Sequence, residues 1–422
     1  MSLPAGYSIS RDPLTDPSFA KRRSTYEKAP IAERRIITSE ALEKKRVPFH
    51  GNLTMATNSS ALMMKQTCTT QRPHRQFERL PQYALSIDEH ITSIAIQPVH
   101  AEDESVPLFA VGTEGGQVHV FEFGMRLVGR CLAHSQQTVT ALAFSTIHPY
   151  IYSGSTDNSV KLLTFDRAAG QLVESARFNG STATIKGVGS LYFPFKKGEN
   201  DMVYGVALDT ELRAWDVTGG QLHTRPAQSA RVATGCLSMV AIPRVGEGSV
   251  VVVGTRGGDV RAFRADRAGL TQMGQPLQLH ERSVVAMALW YDDGAPRIVT
   301  ASSDRVVCWD FVPTGPAPMR MIGELELADI GLTHSVVRAV AATDDGLIAM
   351  AADGVHLLDA HSLSLGRPSL VGSLPLPQDG HFQPGPDRSV VTSVAFDATA
   401  TRLLVGSTST AYPFLVYGQV ED

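Results

Sequence analysis

The residues of this 422-residue chain whose types and order could do chemistry fall into two sets of histidine, hydroxyl and carboxylate. His134 is followed by Ser153 and Asp157, and His280 by Thr300, Asp304 and then Trp309. Such a set is either an acid–base constellation or a group of internal hydrogen bonds, and its surroundings decide which. No further catalytic signature accompanies them. The chain has no GxSxG, no HExxH, no P-loop and no spaced carboxylate pair with a reason to be close. Gly112–Gly116 and Gly254–Gly258 are glycine-rich, but each joins two strand-like runs instead of opening a helix, so the anion-binding geometry of a phosphate loop is missing. Cys68, Cys131, Cys236 and Cys308 lie far apart with no CxxC pair. That argues against a zinc site and a disulfide scaffold and fits a reducing compartment. No cofactor and no metal are expected.

The elements that must position these residues are repeats. One apolar phrase recurs at Ile91–Ile96, Val139–Phe144, Val188–Phe193, Leu237–Ile242, Val284–Leu289, Val337–Ala342 and Val391–Phe396. Successive starts differ by 48, 49, 49, 47, 53 and 54 residues. Each copy is followed by a small, β-branched run (Tyr150–Ser155, Val250–Gly254, Arg297–Ser302). An alternating run ending near an aromatic comes next (Gln117–Phe121, Glu211–Trp215, Asp259–Phe263, Val306–Trp309). Gly, Asn and Asp mark the turns between them, as at Glu114–Gly116 and Asp157–Asn158. A weaker fourth strand leads to the next copy, as in Leu127–Leu132 and Met321–Leu327. Four strands in about 48 residues make one propeller blade. The seventh copy offers only three strands, Val391–Phe396, Arg402–Ser407 and Phe414–Tyr417. Tyr83–Ile87 is expected to supply the fourth and close the ring, leaving no free edge.

Composition agrees. Hydrophobic residues make up 43% and charged residues 19%, enough to bury a core, and 36 Gly and 24 Pro suit many short strands and turns. No apolar run approaches the roughly 18 residues of a membrane span, and no signal-peptide pattern opens the chain. Neither a membrane partner nor secretion is expected.

With Trp215-Asp216 and Trp309-Asp310 as literal WD dipeptides, the repeats resemble WD40 repeats. The resemblance implies an all-β, seven-bladed WD40 β-propeller. It also implies a structural tetrad of His, Ser/Thr, Asp and Trp in each blade, met by His134, Ser153 and Asp157 in blade two and by His280, Thr300, Asp304 and Trp309 in blade five. Those residues are then fold supports, not catalysts. Phe121 and Phe263 stand at the Trp position, and Gly115 and Gly257 at the Asp position, so the motif is degenerate. A propeller without catalytic groups is a docking platform, with protein partners on its loops and channel mouth.

Charge separates the first eighty residues from the rest. Residues 1–80 hold 14 basic and 7 acidic residues, whereas residues 81–422 hold 24 basic and 35 acidic. Such a basic bias is most often a solvated face, and direct nucleic-acid contact is not expected. Ile9–Pro17, with Asp12-Pro13 and Asp16-Pro17, fits the opening of a U-box. Tyr26-Glu27 and Val47–Thr54 fit its later aromatic–Glu and Pro-containing loop. Residues 1–64 therefore resemble a degenerate, small α+β U-box-like module, 65–82 a linker and 83–422 the propeller. A U-box before a WD40 propeller is similar to the pre-mRNA-processing factor nineteen family of splicing ubiquitin ligases. That resemblance implies a nuclear scaffold and ubiquitin-ligase-type subunit of the spliceosome-associated complex, with splicing factors as partners. It places Ile9, Arg11 and Pro48 against a ubiquitin-conjugating enzyme, which such a ligase orients without covalent chemistry of its own. The other reading is a non-catalytic WD40 scaffold of another large assembly, nuclear or cytoplasmic, with the N-terminus a basic docking tail.

Overall fold

The computed structural model describes residues 75–420, apart from residues 86, 99–106, 146–147, 194–199, 218–223, 246–247, 267, 313–316, 334, 368, 378–381, 383–388 and 398. The chain divides into two units, Met1–Arg72 and Pro73–Asp422. The first lies outside the described residues, and with it the expected U-box-like module and Ile9, Arg11 and Pro48.

The second unit is seven four-stranded antiparallel sheets. Blade one is Ile91–Ile96, Leu108–Thr113, Gln117–Glu122 and Leu127–Leu132. Blade two is Val139–Phe144, Tyr150–Ser155, Val160–Asp166 and Gln171–Phe178. Blade five is Ala286–Asp292, Ala295–Ala301, Arg305–Phe311 and Met319–Glu326. The first strands of blades three, four and six are Ile185–Phe193, Cys236–Val245 and Ala339–Ala342. Each first strand touches the first strand of the next blade, and Val391–Phe396 of blade seven touches Ile91–Ile96, so the ring is closed. Five of the seven repeated phrases lie wholly within these first strands, and Val284–Leu289 and Val337–Ala342 begin two residues before theirs. The fourth strand of blade five ends at Glu326 instead of Leu327, which opens a 3-10 turn over Leu327–Ile330.

Burial explains the strand patterns. Second strands lie between two neighbouring sheets, and every residue of Leu108–Thr113, Tyr150–Ser155 and Gly248–Thr255 is buried. A strand covered on both faces reads as a continuous apolar run, whereas an outer strand alternates. The outer strand Gln171–Phe178 buries only Leu172 and Phe178. The core consists of clusters between adjacent blades. In one, Val250 and Val252 of blade four meet Ile298, Val307 and Trp309 of blade five. Each such side chain contributes about 1.5–3 kcal/mol on burial.

Adjacent first strands are also tied by hydroxyls. Thr92 Oγ1 donates to the carbonyl of Val139 (2.6 Å), Thr140 Oγ1 to Ile185 (2.5 Å), and Thr392 Oγ1 across the ring closure to Ile91 (2.5 Å). The close approach needs glycine in the second strand. A Cβ on Gly112 or Gly254 would stand 2.4–2.6 Å from the next blade's valine and from Ser93 or Ser238. These glycines serve packing between blades, which is the physical reason for their place before the turn.

The closing strand differs from expectation. It is Gln76–Arg79, paired antiparallel with Phe414–Val420 in the register Gln76↔Val420 to Arg79↔Tyr417. The propeller thus begins inside the segment expected as a linker, and Tyr83–Ile87 forms no strand. Tyr83–Ile87 alternates as a strand would because Leu85 and Ile87 cover the seam, buried with Phe109, Phe121 and Phe414. Gln76–Arg79 escapes a pattern search because Phe77 is its one apolar side chain. Its main support is the backbone ladder.

Candidate functional site

Both histidine sets sit where the loop entering a blade meets the turn between its second and third strands. In blade two the wholly buried His134 ring places Nδ1 2.9 Å from Asp157 Oδ2 and Nε2 2.9 Å from Ser153 Oγ. Asp157 also accepts from the Ser159 amide (2.9 Å) and hydroxyl (2.6 Å). Burial pushes the Asp157 carboxyl up, but the hydrogen bonds from His134 and Ser159 outweigh it and hold the group well below the usual carboxylate range.

Blade five is arranged differently. His280 Nε2 lies 2.8 Å from Thr300 Oγ1, to which the Trp309 indole also donates (3.0 Å). His280 Nδ1 faces Ser302 Oγ at 3.1 Å, and the Ser302 hydroxyl in turn bonds Asp304. The spacing predicts His280 against Asp304, yet Ser302 stands between them. The turn here has three residues between strands where blade two has four. Asp304 is drawn instead to the amide of Glu281 (3.1 Å) and to Arg305 Nε (3.1 Å). Burial lowers His280 to about 4, so the ring is neutral at physiological pH.

Neither set is a catalytic site. Ser153 and Thr300 are fully buried, and both ring nitrogens of each histidine are taken. The arrangement fastens a turn to its strands, and a buried network of this kind is costly to break once every member is bonded.

Four more blades place a carboxylate in this region from other positions. In blade one, where Gly115 holds the motif's Asp position, Glu89 from the preceding loop accepts from Thr113 Oγ1 and from Gln117 Nε2 (2.7 Å). In blade three Asp209 pairs with Arg213 (2.8 Å) and accepts from Ser181 (3.0 Å) and the Thr182 amide (2.9 Å). Blade four uses Asp259, bonded to Thr255 (2.5 Å) and Arg261 (2.5 Å), and blade six uses Asp353 with Ser335 (2.5 Å).

The opposite face carries a cleft. First strands run away from the tetrads, and at their far ends in blades five, six and seven lies a cleft of about 510 Å³. Leu289 and Phe396 floor it, with Asp344, Asp345 and Asp397 at the turns and Arg75 beside them. Arg75 pairs with Asp345 Oδ2 (2.7 Å) and donates to the Ala400 carbonyl (3.1 Å).

The model of the WD domain, G-beta repeat, matches residues 125–163, the stretch carrying His134, Ser153 and Asp157. No curated protein matches the chain. Among solved structures, it is similar to the RRP9 WD40 repeats (15% identity, TM-score 0.60, covering 82% of this chain and 97% of that one). It is likewise similar to U3-55K (14% identity, TM-score 0.59, covering 82% and 98%). The fold is that of a WD40-repeat propeller.

Within this WD40 propeller, Glu89, Asp209, Asp259 and Asp353 were not reached by motif reading. Asp209 and Asp353 do stand in the turn before a third strand, which is a usable signal. Glu89 lies outside any repeat and leaves none. The acidic turns of the cleft were also missed, although Asp344-Asp345 and Asp397 follow the repeated phrase in blades six and seven. Burial pushes the thiols of Cys236 and Cys308 up to about 12, which makes them inert. Among the described residues no three His, Cys, Asp or Glu side chains gather to hold a metal ion. No helix among them is long and apolar enough to cross a membrane.

Proposed function

We propose that the chain is a non-enzymatic scaffold that holds protein partners on the loops and channel mouths of its propeller as a subunit of a large assembly. One observation carries this. The histidine and hydroxyl groups able to do chemistry are consumed by buried internal hydrogen bonds, whereas the cleft on the opposite face opens to solvent with carboxylates at its rim. Tagged full-length protein, purified gently from its own cells, is expected to bring down a reproducible set of proteins in a complex far larger than the 45.4 kDa chain. Recovery only as a free monomer would contradict the reading.

The finer reading is a nuclear, ubiquitin-ligase-type subunit of the spliceosome-associated complex. Its support is the likeness of residues 7–64 to a U-box placed before a WD40 propeller. It predicts autoubiquitination in vitro that Ile9→Ala and Pro48→Ala each abolish, and splicing factors among the co-purified proteins. Wild-type protein that transfers no ubiquitin with any conjugating enzyme retires the ligase and leaves the scaffold, with residues 1–80 then serving as a basic docking tail.

A further inference from the structure

We propose that the cleft at the far ends of the first strands of blades five, six and seven receives an arginine side chain from an extended, basic segment of a partner protein. This deepens the scaffold reading and rests on it.

The chain's own Arg75 shows that the cleft holds a guanidinium. Its two terminal nitrogens reach different acceptors, the Asp345 carboxylate at 2.7 Å and the Ala400 carbonyl at 3.1 Å. A planar fork satisfies two separated acceptors where an ammonium presents one point charge. Arg75 leaves charge over. Asp344 accepts the Tyr291 amide (3.2 Å) and is exposed to solvent. Asp397 accepts from the Thr399 hydroxyl (2.9 Å) and the amides of Thr401 (2.8 Å) and Arg402 (3.0 Å). All these donors are neutral, and among the described residues neither carboxylate forms an ion pair. The lining thus carries three carboxylates and one guanidinium.

Shape favours an extended chain. The volume of about 510 Å³ exceeds one side chain, and Leu289 and Phe396 offer apolar floor for an arginine stem or a neighbouring apolar residue. Blade five adds Asp292, paired with Arg297 (2.7 Å), at the end of its first strand and Asp293 just after it. A cluster of like charge at one mouth attracts a cationic segment and repels phosphate, which makes a basic protein segment the fitting occupant and a nucleic acid the wrong one.

The test uses full-length protein and a fluorescein-labelled peptide of ten residues with two arginines among leucines and alanines. The same peptide with glutamine for arginine is the control, and binding is read by anisotropy. Wild-type protein is expected to bind the arginine peptide and not the glutamine one. Asp344→Asn with Asp397→Asn should weaken binding about tenfold, since each exposed pair is worth a few-fold. Both asparagines keep an oxygen for the turn amides, and unchanged melting will confirm that the ring is intact. If that pair unfolds, Asp344→Asn alone is read, with an expected loss of about threefold. Arg75→Ala should strengthen binding a few-fold by removing the cleft's own guanidinium. Glu281→Gln, on the opposite face, should change nothing. Equal binding of the glutamine peptide, an unchanged affinity in the aspartate variants, or an equal loss with Glu281→Gln would overturn the proposal. The scaffold reading is scored apart from it: a partner set retained in full by the Asp344/Asp397 variant removes the cleft and leaves the scaffold standing.

Discussion

Blade five and the seam between blades seven and one solve the same two problems with different materials. Blade five finds its outer strand, Met319–Glu326, and its turn carboxylate, Asp304, inside its own repeat. The seam borrows both from the residues before the first repeat. Gln76–Arg79 supplies the outer strand of blade seven, and Glu89 supplies the carboxylate that Gly115 lacks. Between them Leu85 and Ile87 fill the apolar seam, and Arg402 lies over the Tyr83 ring (4.8 Å) while donating to the Phe123 carbonyl (2.9 Å). The lesson is that a strand or a turn carboxylate serves the fold by its place in space, not by its place in the repeat. A degenerate repeat survives when an outside segment reaches the gap.

The largest expected effect is on the borrowed strand. Deleting residues 1–80 should expose the edge of Phe414–Val420 and take Phe77 out of its core cluster, lowering the melting temperature by about 10 °C or more relative to a chain trimmed only to residue 74. Equal melting of the two truncations would break the comparison. Next comes blade five under acid. His280 sits at about 4 in the fold and 6.5 in an unfolded chain, so between those values the unfolded chain holds the extra proton. Stability should be full above about pH 6.5 and fall by up to about 3 kcal/mol as pH drops towards 4. His280→Gln should remove that slope in denaturant titrations across this range, and an unaltered slope would deny the neutral, buried ring. Asp157 and Asp304, both held below the usual carboxylate range, add a further loss as pH falls below about 4. Trp309→Phe should keep the ring's packing but cost about 1 kcal/mol through the lost bond to Thr300. The smallest effect is Thr392→Val, which removes a single hydroxyl bond across the ring closure at about 0.5–1.5 kcal/mol, read from the urea midpoint.

Much of this comparison was visible in the chain before any coordinates. The seven phrases mark the first strands because those strands pack round one axis and share an apolar face. Tyr150–Ser155 and Leu127–Leu132 fall on their strands to the residue. What stayed hidden was whatever leaves no periodic trace. Gln76–Arg79 is held by backbone pairing, which has no sequence signature. Glu89 acts from a loop, so its partners Thr113 and Gln117 look like ordinary strand-end residues. Ser302 inserts itself between His280 and Asp304 because a turn is one residue short, a change that leaves the motif intact while altering its contacts. Asp344, Asp345 and Asp397 share a cleft only because two turns in different blades face one opening.

The central claim, that a turn carboxylate works by its place in space and not by its motif position, is open to a double-mutant cycle in blade one. Glu89→Ala should cost about 2 kcal/mol, because Thr113 and Gln117 lose their acceptor. Gly115→Asp alone should also destabilise, since its Cβ would meet the Glu89 carboxylate at 2.7–2.8 Å. Together, Glu89→Ala and Gly115→Asp return a carboxylate to the family position, and the account predicts recovery of at least half of the Glu89→Ala loss. Losses that simply add in the double variant would contradict it.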